Sequence, residues 1–111
     1  MEKLEKYRNF VEEIILKYSQ YKPSYGDHEA QVIFDRERDH YLLTIVGWNR
    51  YKRTRGCVLH MDIKNDKIWI QHDGTEIGTA NEFVEMGVPK EDIILAFHAP
   101  YKRKYTGFGV E

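Results

Sequence analysis

The sequence predicts an α+β domain built on a mostly antiparallel sheet of about five strands, with an N-terminal helix and a second helix packed on one face. The predicted order is α-β-β-β-β-α-β. Three observations support it: an amphipathic stripe at the start of the chain, β-branched and aromatic runs separated by turn residues, and a second helical stretch with a clear stop. At 111 residues the chain is long enough for one core, so we expect a single domain over 1–111.

The first element is a helix over residues 2–20. Its apolar residues recur at spacings of three and four, which is typical of a helix with one buried face: Leu4, Tyr7, Val11, Ile14, Ile15 and Tyr18. Residues 21–28 contain Pro23, Gly26 and Asp27, which favour a loop.

Two strands should follow, over 29–36 and 40–48, joined by a turn at Glu37 and Arg38. We expect Asp35 to pair with His40. Both faces of this hairpin carry apolar residues, although a sheet with helices on one side needs them on one face only. The second face therefore requires a cover of its own.

A second hairpin is predicted over 57–64 and 67–73, because Asn65 and Asp66 tolerate the positive φ of a two-residue turn. Regular pairing from this turn would set His60 opposite Gln71 and Leu59 opposite His72. Side-chain alternation then defines two faces. The core face would hold Cys57, Leu59, Met61, Ile63, Ile68, Ile70 and His72, and the other face Val58, His60, Asp62, Trp69, Gln71 and Asp73.

The second helix is predicted over 76–87, opened by a capping box of Asp73 and Glu76 and ended by Gly87 and Pro89, with Ile77 among its inward residues. The apolar run 93–97 indicates a fifth strand. The polar segment 49–55 is expected to be a connection between strands, and the tail after residue 97 has no clear periodicity.

Composition excludes several classes of protein. Seventeen Lys and Arg residues against 18 Asp and Glu give a net charge of -1, so no overall field would attract nucleic acid or an anionic membrane. No apolar run approaches the roughly 20 residues that a membrane helix needs. The one cysteine, Cys57, has no partner for an internal disulfide. We therefore expect a cytoplasmic protein.

Seven blocks of the sequence together resemble the XisI family, the fdxN element excision controlling factors of cyanobacteria. The blocks are YKPSYGDHE (21–29), FDRERDHY (34–41), VGW (46–48), GCVLHMDIK (56–64), KIWIQHDGTE (67–76), GVPKEDIILAFH (87–98) and RKYTGF (103–108). The resemblance spans essentially the whole chain. It departs from the family pattern at Ala99, where a second Pro is usual, and at Gly109, where Ala is usual.

The resemblance implies a non-enzymatic role in programmed, site-specific DNA excision, as an accessory to a recombinase. It also implies a nuclease-like companion protein known as XisH. The resemblance identifies no catalytic residues in this chain.

Two polar clusters are candidates for metal binding or acid–base chemistry, namely His60, Asp62, His72 and Asp73, and the loop trio Asp27, His28 and Glu29. Strand alternation separates His72 from the other three members of the first cluster. We therefore interpret both clusters as turn, cap and surface residues, and expect no catalytic, metal or cofactor site.

Two basic clusters interleaved with tyrosines could contact phosphate or an acidic partner. They are Arg50, Lys52, Arg53 and Arg55 in the first, and Lys102, Arg103 and Lys104 in the second. They support an alternative function, in which a small nucleic-acid-binding or hydrolytic protein acts alone through its basic loop and tail.

The strongest functional signal is an apolar set on the second face of the sheet, namely Leu42, Val46, Trp48, Val58 and Trp69. Left in water, it would form a larger apolar patch than monomers usually show. Aromatic anchors within a polar surround are typical of protein interfaces. We expect a homodimer, contact with an XisH-like companion, and at most a weak or indirect association with DNA; a cover from the chain's own tail is the remaining option for this face.

Overall fold

The computed structural model describes residues 2–21, 27–76 and 78–110. Within them a five-stranded sheet has the order β1-β2-β3-β4-β5, with neighbours in sequence also neighbours in space. The elements are α1 (Lys3–Ser19), β1 (Asp27–Asp35), β2 (His40–Asn49), β3 (Lys52–Lys64), β4 (Lys67–Asp73), α2 (Thr79–Glu85) and β5 (Ile93–Leu95). Two 3₁₀ helices, Lys90–Asp92 and Pro100–Tyr105, flank β5. The predicted fold class and element order are confirmed.

The first three strand pairs are antiparallel and β5 runs parallel to β4. The Asn65–Asp66 turn forms as predicted, with φ of 55° and 60°, the values that a primed hairpin turn requires. The predicted pairing of Asp35 with His40 is also observed. Asp39, with φ of 58°, closes that hairpin, so its turn spans residues 36–39 and not two residues alone.

The main core lies between the helices and one face of the sheet. Val11 and Ile15 of α1 and Phe83 of α2 are fully buried there. From the sheet, the inward residues are Tyr41, Leu43, Leu59, Met61, Ile68 and Ile70, each at most 1% exposed. Burying a large apolar side chain contributes about 1.5–3 kcal/mol, so this layer supplies the principal stabilisation of the fold.

Polar contacts fix α1 at both ends. Near its start, the Tyr7 hydroxyl donates to the buried carboxylate of Asp92, and the Lys3 ammonium lies 2.9 Å from the same group. Near its end, the Tyr18 hydroxyl donates to Glu82 of α2 at 2.6 Å. The helix is thereby held against α2 and against the 3₁₀ helix Lys90–Asp92.

Residues 49–55 were expected to form a polar connection, and this was wrong. β2 continues to Asn49, the chain turns at Arg50 and Tyr51, and β3 begins at Lys52. Arg50 has a φ of 59°, which allows the tight reversal. Pairing with β2 thus overrides the low strand propensity of this charged segment.

The second helix begins three residues later than predicted, at Thr79, and ends at Glu85. In place of the predicted capping box, the Asp73 carboxylate accepts hydrogen bonds from Thr75 and Thr79, while Glu76 is exposed. Ile77 and the loop residues 22–26 lie outside the described residues. β5 is also shorter than predicted, because the chain turns away after Leu95.

Two β-bulges change the predicted side-chain positions. In β3, Leu59 lies opposite Leu43 but Cys57 lies opposite Thr44, so Val58 is an extra residue. In β4, Met61 of β3 lies opposite Ile70 but His60 lies opposite His72, so Gln71 is extra. Beyond each bulge the alternation of side chains reverses. The predicted pairs His60–Gln71 and Leu59–His72 were therefore wrong.

Candidate functional site

The candidate site is the face of the sheet opposite the two helices, which we call the uncovered face. Over β1 to β3, no described element packs on it. Strand alternation places residues of even number in β2 on this face, and cross-strand pairing aligns the odd residues of β1 with them. The two-sided apolar character of the first hairpin therefore results in a solvent-facing apolar surface.

Four apolar residues of this surface lie on β1 and β2. Ile33 and Leu42 are a cross-strand pair; Ile33 is 48% exposed and Trp48 is 49% exposed. Val46 lies between Leu42 and Trp48 along β2 and is partly buried. The guanidinium carbon of Arg53 sits 5.3 Å from the Trp48 ring centroid. Ile33, Leu42, Val46 and Trp48 form what we call the apolar strip.

Two members of the predicted apolar set add little or nothing to the exposed surface. Val58, the bulge residue of β3, packs against the main core, so its assignment to the second face was wrong. Trp69 is on the predicted face but only 8% of it is exposed. The apolar strip therefore has no contribution from Val58 and little from Trp69.

The chain's own tail covers Trp69. The Arg103 guanidinium carbon lies 5.6 Å from the Trp69 ring centroid. Arg103 is held there by donating to the carbonyls of His98 at 3.1 Å and Ala96 at 3.2 Å. The Trp69 indole N–H donates to the carbonyl of Lys64 at 3.0 Å. The cover that the second face requires is thus supplied by the C-terminal 3₁₀ helix, but only at the β4–β5 end.

The predicted basic clusters are arranged differently from a free loop and a free tail. Arg53 and Arg55 belong to β3 and lie opposite Trp48 and Val46. They therefore border the apolar strip. In the tail, Arg103 is turned inward, while Lys102 and Lys104 are exposed.

Cys57 was predicted to face the core, and this was wrong, because the bulge at Val58 turns it to the uncovered face, where it is exposed. Partial burial raises the pKa of the Cys57 thiol, and this outweighs the hydrogen bond between the thiol and the Leu59 carbonyl. The thiol therefore stays protonated at neutral pH, and a protonated thiol is a poor nucleophile.

The structure brings His60 and Asp62 of the first predicted polar cluster together with His40, which the sequence did not indicate. Asp62 Oδ1 lies 2.8 Å from Nδ1 of His40 and 3.1 Å from Nε2 of His60. Gln71 Nε2 donates to the second carboxylate oxygen of Asp62 at 3.1 Å. The hydrogen bond with Asp62 is the main reason that the pKa of His40 is raised. No sequence spacing indicates His40, since only the β2–β3 register brings it opposite Asp62.

His72 and Asp73 are not part of this cluster, and their predicted orientations were reversed. His72 lies opposite His60 and is exposed, whereas Asp73 lies opposite Leu59 and caps α2. The second predicted trio is also divided, because Asp27 and Glu29 share the uncovered face and His28 points to the helix side beside Gly47.

The sequence and the fold are both similar to those of known proteins. A family model described as XisI protein matches residues 1–110. A solved XisI-like protein from Anabaena variabilis is 46% identical, with a TM-score of 0.91, and the alignment covers 97% of this chain and 99% of that one. The fdxN element excision controlling factor XisI from Anabaena variabilis is 39% identical, with a TM-score of 0.83 and coverage of 99% and 100%. No curated protein matches the sequence.

In the described residues, no helix is long and apolar enough to cross a membrane. The family match extends through both hairpins, both helices and the tail that covers Trp69. The chain belongs to the XisI family.

Proposed function

We propose that this protein is a non-enzymatic controlling factor of programmed, site-specific DNA excision, which acts by binding a nuclease-like companion of the XisH type. Family membership supports the excision role, because a solved relative with 39% identity is named as an excision controlling factor. We infer that the companion contacts the uncovered face. The recombinase is a further candidate to bind there.

The observation that carries the proposal is the exposed apolar strip. Ile33 and Trp48 each leave about half of their surface in water, and Leu42 and Val46 lie on the same face of β2, on either side of Thr44. Several exposed apolar residues grouped on one face of a sheet mark an interaction site more often than a single exposed residue does. Trp is also the residue type most enriched among interface residues that dominate binding energy.

The surroundings of the strip fit a protein partner better than nucleic acid. Arg53 and Arg55 border it on β3, and Asp27 and Glu29 border it on β1. A polar rim of both signs around an apolar centre is typical of protein interfaces. Binding to DNA favours a surface of one sign. We infer at most a weak, salt-sensitive contact with phosphate from the basic residues.

The proposal includes self-association of the free protein. Two copies could bury the strip against each other, as could one copy and the companion. Either association removes the same apolar surface from water.

A binding experiment separates this function from the nucleic-acid alternative. The untagged companion would be co-expressed with this protein, and both co-purification and gel shifts over a salt series would be measured. Reversing the charges of Arg50, Lys52, Arg53 and Arg55 provides the diagnostic variant. Co-purification of the companion, together with weak and sequence-independent DNA binding, supports the proposal. Tight binding of one DNA sequence at physiological salt, lost in the variant while the companion still co-purifies, contradicts it.

A further inference from the structure

We propose that His40, His60 and Asp62 form a binding site for a divalent transition-metal ion of the Zn²⁺ class on the uncovered face. The inference is independent of the companion contact. It rests on the one group of three His, Cys, Asp or Glu residues in the described part of the chain whose ligand atoms converge, all within 4.8 Å of one another.

The distances suit a tetrahedral ion. Nitrogen and oxygen ligands lie about 2.0–2.2 Å from Zn²⁺, so two ligands of the same tetrahedral ion are roughly 3.3 Å apart. The observed separations from Asp62 Oδ1 are 2.8 Å to His40 Nδ1 and 3.1 Å to His60 Nε2. All three ligand atoms lie within 4.8 Å of one another, so side-chain rotations that shorten the widest separation complete the coordination geometry.

The three ligands are carried on paired strands. His40 opens β2 directly opposite Asp62 of β3, and His60 lies two residues before Asp62 on the same face. Ligands on paired strands are held more precisely than ligands on loops. Little backbone movement is needed to assemble the site.

A neighbouring residue orients the carboxylate. Gln71 donates to Asp62 Oδ2 at 3.1 Å, which leaves Oδ1 directed at the two imidazoles. Partners of this kind fix the orientation of metal ligands and tune their affinity. Gln71 has this position because it is the bulge residue of β4.

The ligand set selects the class of ion. Two imidazoles and one carboxylate suit Zn²⁺ and neighbouring transition metals, whereas Ca²⁺ and Mg²⁺ prefer oxygen ligands alone. The Asp62 side chain is 17% exposed and that of His40 is 52% exposed. The site is therefore reachable from solvent, and a fourth position remains for water or for a side chain of a bound partner.

Calorimetric titration of the untagged, chelator-treated protein with Zn²⁺ tests the site. We expect saturable binding of one ion per chain. His40→Gln and Asp62→Asn should each weaken the affinity by about tenfold or more, because even loss of a residue that only orients a ligand typically costs about 10–100-fold. His72→Gln is the matched control, because His72 is a nearby exposed histidine outside the cluster, and it should bind like the parent protein.

Co²⁺ absorption gives an independent readout, since a tetrahedral site produces a visible band that His40→Gln should abolish. His40 is half exposed, so its replacement is not expected to disturb folding. Absence of saturable Zn²⁺ binding by the parent protein would overturn the inference. So would unchanged affinity in His40→Gln, or a loss in His72→Gln equal to that in Asp62→Asn.

Discussion

Asp73 joins the end of β4 to the start of α2. One carboxylate oxygen accepts from the Thr75 backbone N–H at 2.9 Å and hydroxyl at 2.6 Å. The other accepts from the Thr79 backbone N–H at 2.7 Å and hydroxyl at 2.9 Å. Four hydrogen bonds on one half-buried carboxylate make it a structural residue.

Replacing Asp73 should therefore destabilise the fold without altering a binding surface. We expect Asp73→Ala to lower the free energy of unfolding by about 2 kcal/mol, because two backbone N–H groups and two hydroxyls lose their acceptor. Chemical denaturation measures the change. Glu76→Ala is the control, because Glu76 is exposed and its replacement should leave the free energy of unfolding unchanged. A loss of stability equal to that of Asp73→Ala would instead support the predicted capping box.

The same carboxylate predicts a dependence of stability on pH. Burial alone would raise the pKa of Asp73, but the hydrogen bonds from Thr75 and Thr79 outweigh it and lower the pKa below the usual range. Its contribution is then complete above the unfolded pKa near 3.9 and is lost as the pH falls through the lower folded value. Unfolding measured from pH 6 to pH 3 should show a smaller acid-induced loss in Asp73→Asn. Identical profiles for parent and variant would refute this.

Single residues were the hardest feature to predict. The Asn65–Asp66 turn was predictable because its conformation depends on two local side chains. His40 was not, because its proximity to Asp62 depends on a register between two strands. Local signals carry no information on that register once a bulge intervenes.

The C-terminal 3₁₀ helix acts as a small cover over one end of the sheet. It carries the Arg103 side chain onto Trp69, and Trp69 and Ile94 are buried although they lie on the face opposite the main core. Part of the second face is therefore closed within one chain. The apolar strip remains outside this cover.

Removing the Arg103 side chain should expose Trp69. In a Trp48→Phe background, which leaves Trp69 as the only fluorophore of its type, Arg103→Ala should red-shift the emission and increase quenching by acrylamide. Lys104→Ala removes the same charge from an exposed neighbour and should leave both signals unchanged. An unshifted spectrum in Arg103→Ala would mean that Arg103 does not shield the indole.

Element boundaries were predicted well where local sequence decides them. The stripe of α1 and the Asn65–Asp66 turn are local signals. The bounds of α1 lie within one residue of the prediction, and both strand ends at the turn and the whole of β4 were predicted correctly. The strand at 52–55 was missed because its charged residues disfavour a strand until β2 pairs with them. The bulges at Val58 and Gln71 were missed because they depend on the register between strands and not on local sequence.

At the scale of the whole molecule, the sheet has one face under helices and the other only partly covered. The α+β order was predictable from hydrophobic periodicity, since the elements follow one another as neighbours in the sheet. The extent of the cover was not, because the tail has no periodicity that indicates where it packs. The apolar strip lies on the part of the second face that the tail leaves uncovered.

The free protein is expected to self-associate through that strip. Sedimentation equilibrium should show a dimer at tens of micromolar, because pairing removes Trp48 and Ile33 from water. Trp48→Ala should shift the equilibrium towards the monomer. A monomer for the parent protein across this range would contradict the expected homodimer while leaving the companion contact open to its own test.

The most direct measurement is the affinity of the purified companion for three forms of this protein: the parent, Trp48→Ala and Leu16→Ala. Trp48 on the uncovered face and Leu16 on α1 are each 49% exposed, so each substitution removes a half-exposed apolar side chain. The two residues lie on opposite sides of the sheet. If the uncovered face binds the companion, Trp48→Ala should weaken binding at least about tenfold, or roughly 1.4 kcal/mol, and Leu16→Ala should bind like the parent. Equal affinity in all three forms, or a loss confined to Leu16→Ala, would contradict the account.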